Sequence, residues 1–266
     1  MARVSGAEHA VADDYATYVG PSLLPVAATM LALAGVRTGD VVLDIGCGSG
    51  LLTLPAAAAA GDTGLVLGVD LSRPMLDRAR ERPWPVAAWA QADALWLPVR
   101  DRAVEKVLAG AVVNYVADAG RLVSEMRRVL VDGGRAAVCA FGDPRDTQGE
   151  DVVLAALAAE GVDSDACRRP TALVVNGERH GPAAIGEVMA ARGFQISHAV
   201  ESELTLPFVD AATFARWRLS FPAASGELSR HGGGAALLAR VVAAAGSALP
   251  PGPVMVTATV HYAVGT

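Results

Sequence analysis

The clearest chemical signal in this chain is an apolar run that ends in an acidic residue and three alternating glycines. The run is VVLDIGCGSG, residues 41–50, with Asp44 before glycines at positions 46, 48 and 50. Glycine lets the backbone approach a ligand closely and adopt positive φ, so this spacing predicts a flat contact surface. In a parallel α/β sheet such a turn opens at the carboxyl edge, where the next helix presents unpaired N–H groups. The turn is therefore a predicted ligand site, and a tight turn without a ligand is the alternative.

The charge and spacing of this turn argue against a dinucleotide. Pyrophosphate-binding turns have the spacing GxGxxG, whereas this chain has GxGxG. Asp44 would repel a pyrophosphate and would attract an ammonium or sulfonium group. We therefore expect a cationic ligand that carries no phosphate.

Two more carboxylates follow the next two predicted strands. Asp70 ends the run GLVLGVD, about twenty residues after the glycines, where a carboxylate can bind both hydroxyls of a ribose. Asp93 lies in QADALWLP, where it could accept the exocyclic amine of an adenine between the small residues Ala92 and Ala94. An aspartate that only forms a turn is the alternative for Asp93.

The elements that must position these residues alternate short apolar runs with amphipathic ones, which is typical of a parallel sheet covered on both faces. We predict strands at 41–45, 65–69, 86–90, 104–109 and 135–141, and helices at 52–60, 73–82 and 118–130. Ser72 and Asp118 are the predicted caps of the last two helices, and Gly133 and Gly134 are predicted to end the third helix before the next strand. Farther on we predict a helix at 183–192 and strands within 194–208 and 254–264.

Composition argues against several other classes. The chain has 266 residues, 52% of them hydrophobic, with a formal net charge of -6 and no basic stripe, so nucleic acid is a disfavoured partner. Three widely spaced cysteines predict neither disulfides nor a zinc site, and we expect no metal. We also expect neither a signal peptide nor an apolar run of membrane-spanning length. These observations predict a soluble cytoplasmic protein.

LDIGCGSG, Asp70, QAD and MRRVLVDGG occur in the order typical of the class I S-adenosylmethionine-dependent methyltransferases. The chain resembles their small-molecule branch, close to the quinone-biosynthesis methyltransferases, over residues 11–142 and more loosely beyond. The resemblance implies S-adenosyl-L-methionine as the cofactor. It also implies a Rossmann-like, seven-stranded, mostly parallel sheet flanked by helices, with the last strand antiparallel and a helical cap over the carboxyl edge.

The resemblance further implies a single methyltransferase domain over residues 1–266. Its parts would be a helical cap at 1–36, a cofactor-binding core at 37–142, cap insertions at 143–181 and 207–253, and sheet-completing segments at 182–206 and 254–266.

Carried over by position, the resemblance implies that Asp44 and Gly46 hold the methionine part, that Cys47 and Gly48 form the turn beneath it, and that Asp70 binds the ribose. The other implied cofactor contacts are Tyr18, Leu71, Met75, Asp93, Ala94, Ala109 and Gly110. Tyr18 could instead be an ordinary core tyrosine.

The candidate acceptor residues are Asn114, Tyr115, Trp217 and Phe221. Trp217 and Phe221 share one face of the predicted helix in ATFARWRLSFP, so they could form a lid over the acceptor or simply pack the helix. His180 is the candidate general base, which a hydroxyl or acidic carbon would need. A surface or core histidine without a catalytic role is the alternative.

The sequence thus predicts methyl transfer to an O, N or C atom of a small organic metabolite, by a monomer or homodimer of bacterial secondary metabolism. Two alternatives keep the same cofactor residues. One is a methyltransferase-fold protein that catalyses a cyclisation or isomerisation, and the other is a non-catalytic partner subunit that binds the cofactor.

Overall fold

The computed structural model describes residues 12–144, 148–168 and 170–266. The chain divides into two compact units. The helical unit comprises Met1–Leu23, Pro144–Pro170 and Glu203–Ala258, and the sheet unit comprises Leu24–Asp143, Thr171–Ser202 and Thr259–Thr266. The cap boundaries and the single-domain organisation named above remain predictions.

A seven-stranded sheet has the strand order β3-β2-β1-β4-β5-β9-β8, and β6 and β7 form a separate two-stranded sheet. The strands are β1 Val41–Ile45, β2 Leu65–Asp70, β3 Ala87–Gln91, β4 Val104–Gly110, β5 Leu130–Pro144, β6 Leu173–Val175, β7 Glu178–His180, β8 Ile196–Phe208 and β9 Val254–Gly265. Strands β1 to β5 pair in parallel.

The last two strands of the sheet run antiparallel. Gln195 and Thr266 exchange both backbone hydrogen bonds, at 2.9 and 3.1 Å, and the Ser197 hydroxyl donates to the Val264 carbonyl at 3.3 Å. Residue numbers on β8 therefore rise as those on β9 fall. The predicted mostly parallel seven-stranded sheet with its last strand antiparallel is confirmed.

The helices of the sheet unit include the four predicted at 52–60, 73–82, 118–130 and 183–192, together with a first helix that lies in the implied helical cap of residues 1–36. They are α1 Leu24–Ala34, α2 Thr53–Ala60, α3 Arg73–Arg80, α4 Ala119–Val129 and, farther along, α6 Ile185–Ala190. Asp118 caps α4 by accepting from the N–H groups of Gly120 and Arg121, and Ser72 caps α3 by accepting from that of Met75. Both predicted caps are confirmed, because each satisfies N–H groups that lack a partner within the helix.

Strand β5 begins five residues before its predicted start. Helix α4 ends at Val129, and Leu130 already pairs with Val104, after which the register shifts before Lys106 pairs with Arg135. Gly133, at φ 75°, lies in this irregular segment. The two glycines therefore lie within the strand and do not end the helix.

The β6–β7 hairpin was missed by the sequence prediction. Val175 pairs with Glu178 across a two-residue turn of Asn176 and Gly177, at φ 51° and 85°. Asn-Gly between apolar residues is the strongest short-range hairpin signal, because both turn positions need positive φ. His180 is the last residue of this hairpin.

The helical unit contains α5 Gln148–Ala159, α7 Ala211–Leu219, α8 Pro222–His231 and α9 Gly234–Ala248. Helix α9 packs against α5 and α7. The buried Arg218 of α7 donates to the Glu150 carboxylate at 2.7 Å and to the Cys167 carbonyl at 2.8 Å, which ties three segments of this unit together.

One helical stretch, Ala12–Ala34, has the length and apolar composition to cross a membrane. No charged residue occurs from Tyr15 to Val36, so the expectation that no such run exists is wrong. Core helices of globular proteins can have the same length and apolar composition. In the sheet unit α1 packs against β4 and buries Met30 and Ala34, which accounts for the apolar composition of this half of the stretch.

Candidate cofactor site

The predicted ligand turn follows β1 and is bonded to the end of β2. The N–H groups of Gly46 and Cys47 both donate to the Val69 carbonyl, at 2.8 and 3.0 Å, and that of Gly50 donates to the Cys47 carbonyl at 2.9 Å. Gly46, Gly48 and Gly50 have φ values of 71°, 54° and 88°. The alternating glycines are therefore needed for the backbone path of the turn.

The three glycines have different surroundings. A Cβ on Gly46 would lie 2.6 Å from the Cβ of Val112, and a Cβ on Gly50 would lie 2.7 Å from the Trp89 ring. A Cβ on Gly48 would meet no heavy atom of the described residues within 4 Å, its chain neighbours aside. Gly46 and Gly50 therefore allow close packing against Val112 and Trp89. Of these three glycines, Gly48 has the open face that the predicted ligand contact needs.

Asp44 brings a buried carboxyl group to this turn. It is 1% exposed, and its Oδ2 accepts a hydrogen bond of 2.5 Å from the Thr53 hydroxyl at the start of α2. Burial raises the pKa of Asp44 to about 7; the Thr53 hydrogen bond opposes this shift and the charge of Asp70 adds to it. A cationic ligand group would stabilise the ionised form. Sequence reasoning missed Thr53, although a hydroxyl in the first turn of a helix after a glycine turn is a usable signal.

Asp70 connects the turn to the loop after β2. Its Oδ2 accepts from the Gly48 N–H and its Oδ1 from the Ser72 N–H, both at 2.8 Å. Burial raises the pKa of Asp70, while the hydrogen bonds from Ser72, Gly48 and Leu71 oppose that shift. Each carboxylate oxygen can accept more than one hydrogen bond, so the same group can still accept from the two hydroxyls of a ribose.

The predicted adenine contacts lie at the carboxyl ends of β2 and β3. The Gln91 side chain donates to the Leu71 carbonyl at 2.9 Å, which joins the loops after the two strands. Leu71 and Asp93 are exposed, and Met75 and Ala94 are half-buried. The Asp93 Oδ1 accepts from the Leu95 N–H at 2.9 Å, so the turn-forming alternative is present and the adenine role stays a prediction.

Cys47 is buried beneath the turn. A Cβ on Gly68 of β2 would lie 3.0 Å from the Cys47 Sγ, so this thiol packs against the sheet. Burial raises the pKa of the Cys47 thiol well above its usual range. The thiol is therefore a poor nucleophile, in line with the packing role that the sequence favours.

The segment after β4 lies beside the turn after β1. Ala109 is buried and Gly110 half-buried, and Ala111 has φ 63°, a left-handed conformation that is costly for a residue with a Cβ. The following residue, Val112, is the one that contacts Gly46. The strained residue thus directs Val112 onto the ligand turn.

Asn114 anchors this segment to β5. Its Nδ2 donates to the Phe141 carbonyl at 3.1 Å, and its Oδ1 accepts from the Phe141 N–H at 2.9 Å. The side chain is 5% exposed, so its amide serves the backbone of β5, a role that the sequence prediction did not include. Tyr115, which follows, is 41% exposed. Acceptor contacts by Asn114 and Tyr115 remain predictions.

Three predicted site residues belong to the helical unit. Tyr18 is half-buried in the π-helical turn Tyr15–Val19, whereas Trp217 and Phe221 are 2% and 8% exposed. The Trp217 indole donates to the Ser22 hydroxyl at 3.0 Å, and its ring centroid lies 4.9 Å from that of Phe221. This is the packing alternative to a lid. Contacts of Tyr18, Trp217 and Phe221 with a ligand remain predictions.

Comparison with known proteins identifies the part of the chain that carries the turn. Residues 43–138 match the family model described as a methyltransferase domain. The 2-phytyl-1,4-naphtoquinone methyltransferase of Nostoc punctiforme is 38% identical over 120 residues, which are 43% of this chain and 52% of that protein. The ubiquinone/menaquinone biosynthesis C-methyltransferase of Teredinibacter turnerae is 35% identical over 122 residues, 44% and 49% of the two chains. The chain spans about half the length of these curated relatives.

Solved structures share the fold at lower identity. A SAM-dependent methyltransferase from Aquifex aeolicus is 18% identical with a TM-score of 0.52, over 68% of this chain and 86% of that one. The cyclase SpnF is 20% identical with a TM-score of 0.53, over 90% and 80% of the two chains. Residues 43–138 of this chain are therefore similar to a methyltransferase domain, and the matched part of the chain resembles the quinone-biosynthesis methyltransferases.

Proposed function

We propose that the chain transfers a methyl group from S-adenosylmethionine to a small organic acceptor. The observation that carries this proposal is a pair of carboxylates at the glycine turn: Asp44 is buried at its start, and Asp70 accepts from the N–H of Gly48, the glycine with an open face. A cationic amino-acid group would offset the buried charge of Asp44, and a ribose diol would donate to Asp70. The site offers acidic groups where a pyrophosphate would need donors, which supports a nucleoside without phosphates.

The acceptor class is proposed from the relatives. One of them is named as a 2-phytyl-1,4-naphtoquinone methyltransferase and the other as a C-methyltransferase of ubiquinone/menaquinone biosynthesis. We take a reduced naphthoquinone as the first acceptor to test, and the methylated atom would then be a ring carbon or a hydroxyl oxygen. An amine, methylated on nitrogen, is the next acceptor class. A role in bacterial secondary metabolism, a cytoplasmic location and a monomeric or homodimeric state are further proposals from the sequence.

Methyl transfer depends more on the alignment of donor and acceptor than on reactive side chains. A bound sulfonium supplies an activated methyl group, and the transfer is an in-line substitution at its carbon. The contribution of the chain is to hold donor and acceptor in line and to exclude water, an effect worth on the order of 7–11 kcal/mol in favourable intramolecular cases. Asp70 and the turn of residues 46–50 would hold the methyl donor in position.

The test uses S-adenosylmethionine labelled in its methyl group and a panel of reduced 1,4-naphthoquinone, simple phenols and primary amines. We expect label to move to at least one acceptor, with loss of both cofactor binding and transfer in the Asp70→Asn variant. Asp77→Asn is the matched control, because Asp77 pairs with Arg73 on the outer face of α3. Binding is measured by calorimetry and transfer by counting extracted product.

The outcomes separate the alternatives. Cofactor binding without transfer to any acceptor would overturn the methyltransferase proposal and favour a cyclisation, an isomerisation or a partner subunit. Absence of cofactor binding would overturn the assignment of the site itself.

A further inference from the structure

Strand β5 projects beyond the strand beside it at the edge where ligands bind. Gly110, the last residue of β4, pairs with Cys139, and β5 continues to Pro144. The segment after Cys139 therefore lies past the end of β4, next to the turn that Asn114 anchors to Phe141. In parallel α/β sheets this carboxyl edge is where ligands are bound.

His261 of β9 reaches this projecting segment. A Cβ on Gly142 would lie 3.5 Å from the Nε2 of His261 and 3.4 Å from the Cβ of Thr259. Glycine at 142 thus leaves room in front of the imidazole that a side chain would fill. The His261 side chain is 13% exposed, so it is largely removed from bulk solvent and retains some access to it.

A carboxylate lies near the other ring nitrogen of His261, Nδ1. The Nδ1 of His261 lies 3.6 Å from the Oε2 of Glu201 on β8. The same Cβ on Gly142 would lie 3.5 Å from the Cγ of Pro182, in the 3-10 turn before α6. Gly142 and Pro182 carry no charge, so among the described contacts Glu201 is the charged neighbour of His261. At this distance the carboxylate can orient the imidazole, with Nε2 on the side of Gly142.

We infer that His261 is the general base of the methyl transfer and that Glu201 is its positioning residue, an inference that rests on the proposed function. The proton of the acceptor hydroxyl or activated C–H moves to Nε2. The freed electron pair forms the bond to the methyl carbon, while the carbon–sulfur bond breaks and its pair stays on sulfur. The products are the methylated acceptor, S-adenosylhomocysteine and an imidazolium that returns its proton to solvent.

The test measures kcat and kcat/KM for reduced 1,4-naphthoquinone against pH in His261→Gln, Glu201→Gln and a control. His198→Gln is the control, because His198 is an exposed histidine on the neighbouring β8. We expect His261→Gln to lower kcat by about 100-fold or more and to remove the acidic limb of the profile, with cofactor affinity and melting temperature unchanged. A histidine with a merely structural role would not change the profile.

Glu201→Gln keeps the inference testable if His261→Gln impairs folding, since Glu201 is 53% exposed. Loss of the carboxylate removes the group that orients the imidazole, so kcat should fall while cofactor affinity stays the same. An acidic limb that persists in His261→Gln overturns the inference, as does an unchanged kcat in Glu201→Gln or the disappearance of the limb in His180→Gln instead. Failure of the unaltered protein to transfer any label is a different result, which overturns the proposed function.

Discussion

At the scale of single residues, the buried carboxyl of Asp44 determines how the site responds to pH. Burial raises its pKa from 3.8 to about 7, so the proton leaves this group near neutrality and not in the acidic range. A folded-state pKa above the unfolded one means that the chain takes up a proton when it folds between these two values. The stability that Asp44 contributes therefore falls as pH rises from about 4 to about 7, in the ligand-free chain.

The same carboxyl predicts a pH-dependent cofactor affinity. A cationic ligand selects the ionised form, so binding below pH 7 releases a proton, and affinity should rise about tenfold per pH unit until it levels off above the pKa. Calorimetry from about pH 5 to about pH 9 measures this slope. Asp44→Asn should bind more weakly and with a flatter profile. An equal slope in the variant would contradict the assignment.

At the scale of elements, the connection from β4 to β5 depends on one side chain. Asn114 satisfies both backbone groups of Phe141, while the preceding turn places Val112 against Gly46. The apolar run of β4 predicts the strand from local pattern. The bond to Phe141 could not be predicted that way, because it joins positions in two different strands.

Asn114→Leu should destabilise the protein and weaken cofactor binding. The variant leaves the Phe141 N–H and carbonyl without their partner in a partly buried setting, at up to about 1–3 kcal/mol for each group. Urea unfolding measures the loss and calorimetry the affinity. Asn114→Asp, which keeps the acceptor and loses the donor, should lie between the variant and the unaltered protein. Unchanged stability in Asn114→Leu would show that the two hydrogen bonds contribute nothing.

At the scale of the whole molecule, the helical unit has an aromatic core of its own. Trp217 lies 5.0 Å from Phe208 and 6.0 Å from Phe214 by ring centroid, in addition to its contacts with Ser22 and Phe221. Aromatic pairs at such distances add to the free energy gained from burial. Trp217 thus has a structural role in this unit whether or not it also contacts an acceptor.

Trp217→Ala should lower the free energy of unfolding by about 3–5 kcal/mol, because it removes a large buried side chain. Trp217→Phe, which keeps a ring and loses the hydrogen bond to Ser22, should cost less. Circular dichroism in urea measures both. A variant as stable as the unaltered protein, with a raised acceptor Michaelis constant and intact cofactor affinity, would instead support the predicted lid.

The sequence by itself determined the parallel sheet and the glycine turn after β1, and it predicted the chemistry expected of Asp44 and Asp70. Hydrophobic period, helix caps and glycine spacing are local properties that short segments express. Only the tertiary structure decided which glycine faces open space, which backbone Asn114 serves, and that His261 stands beside Gly142. These depend on pairings between strands far apart in the chain, such as β5 with β9, and no local pattern specifies which side chains then meet.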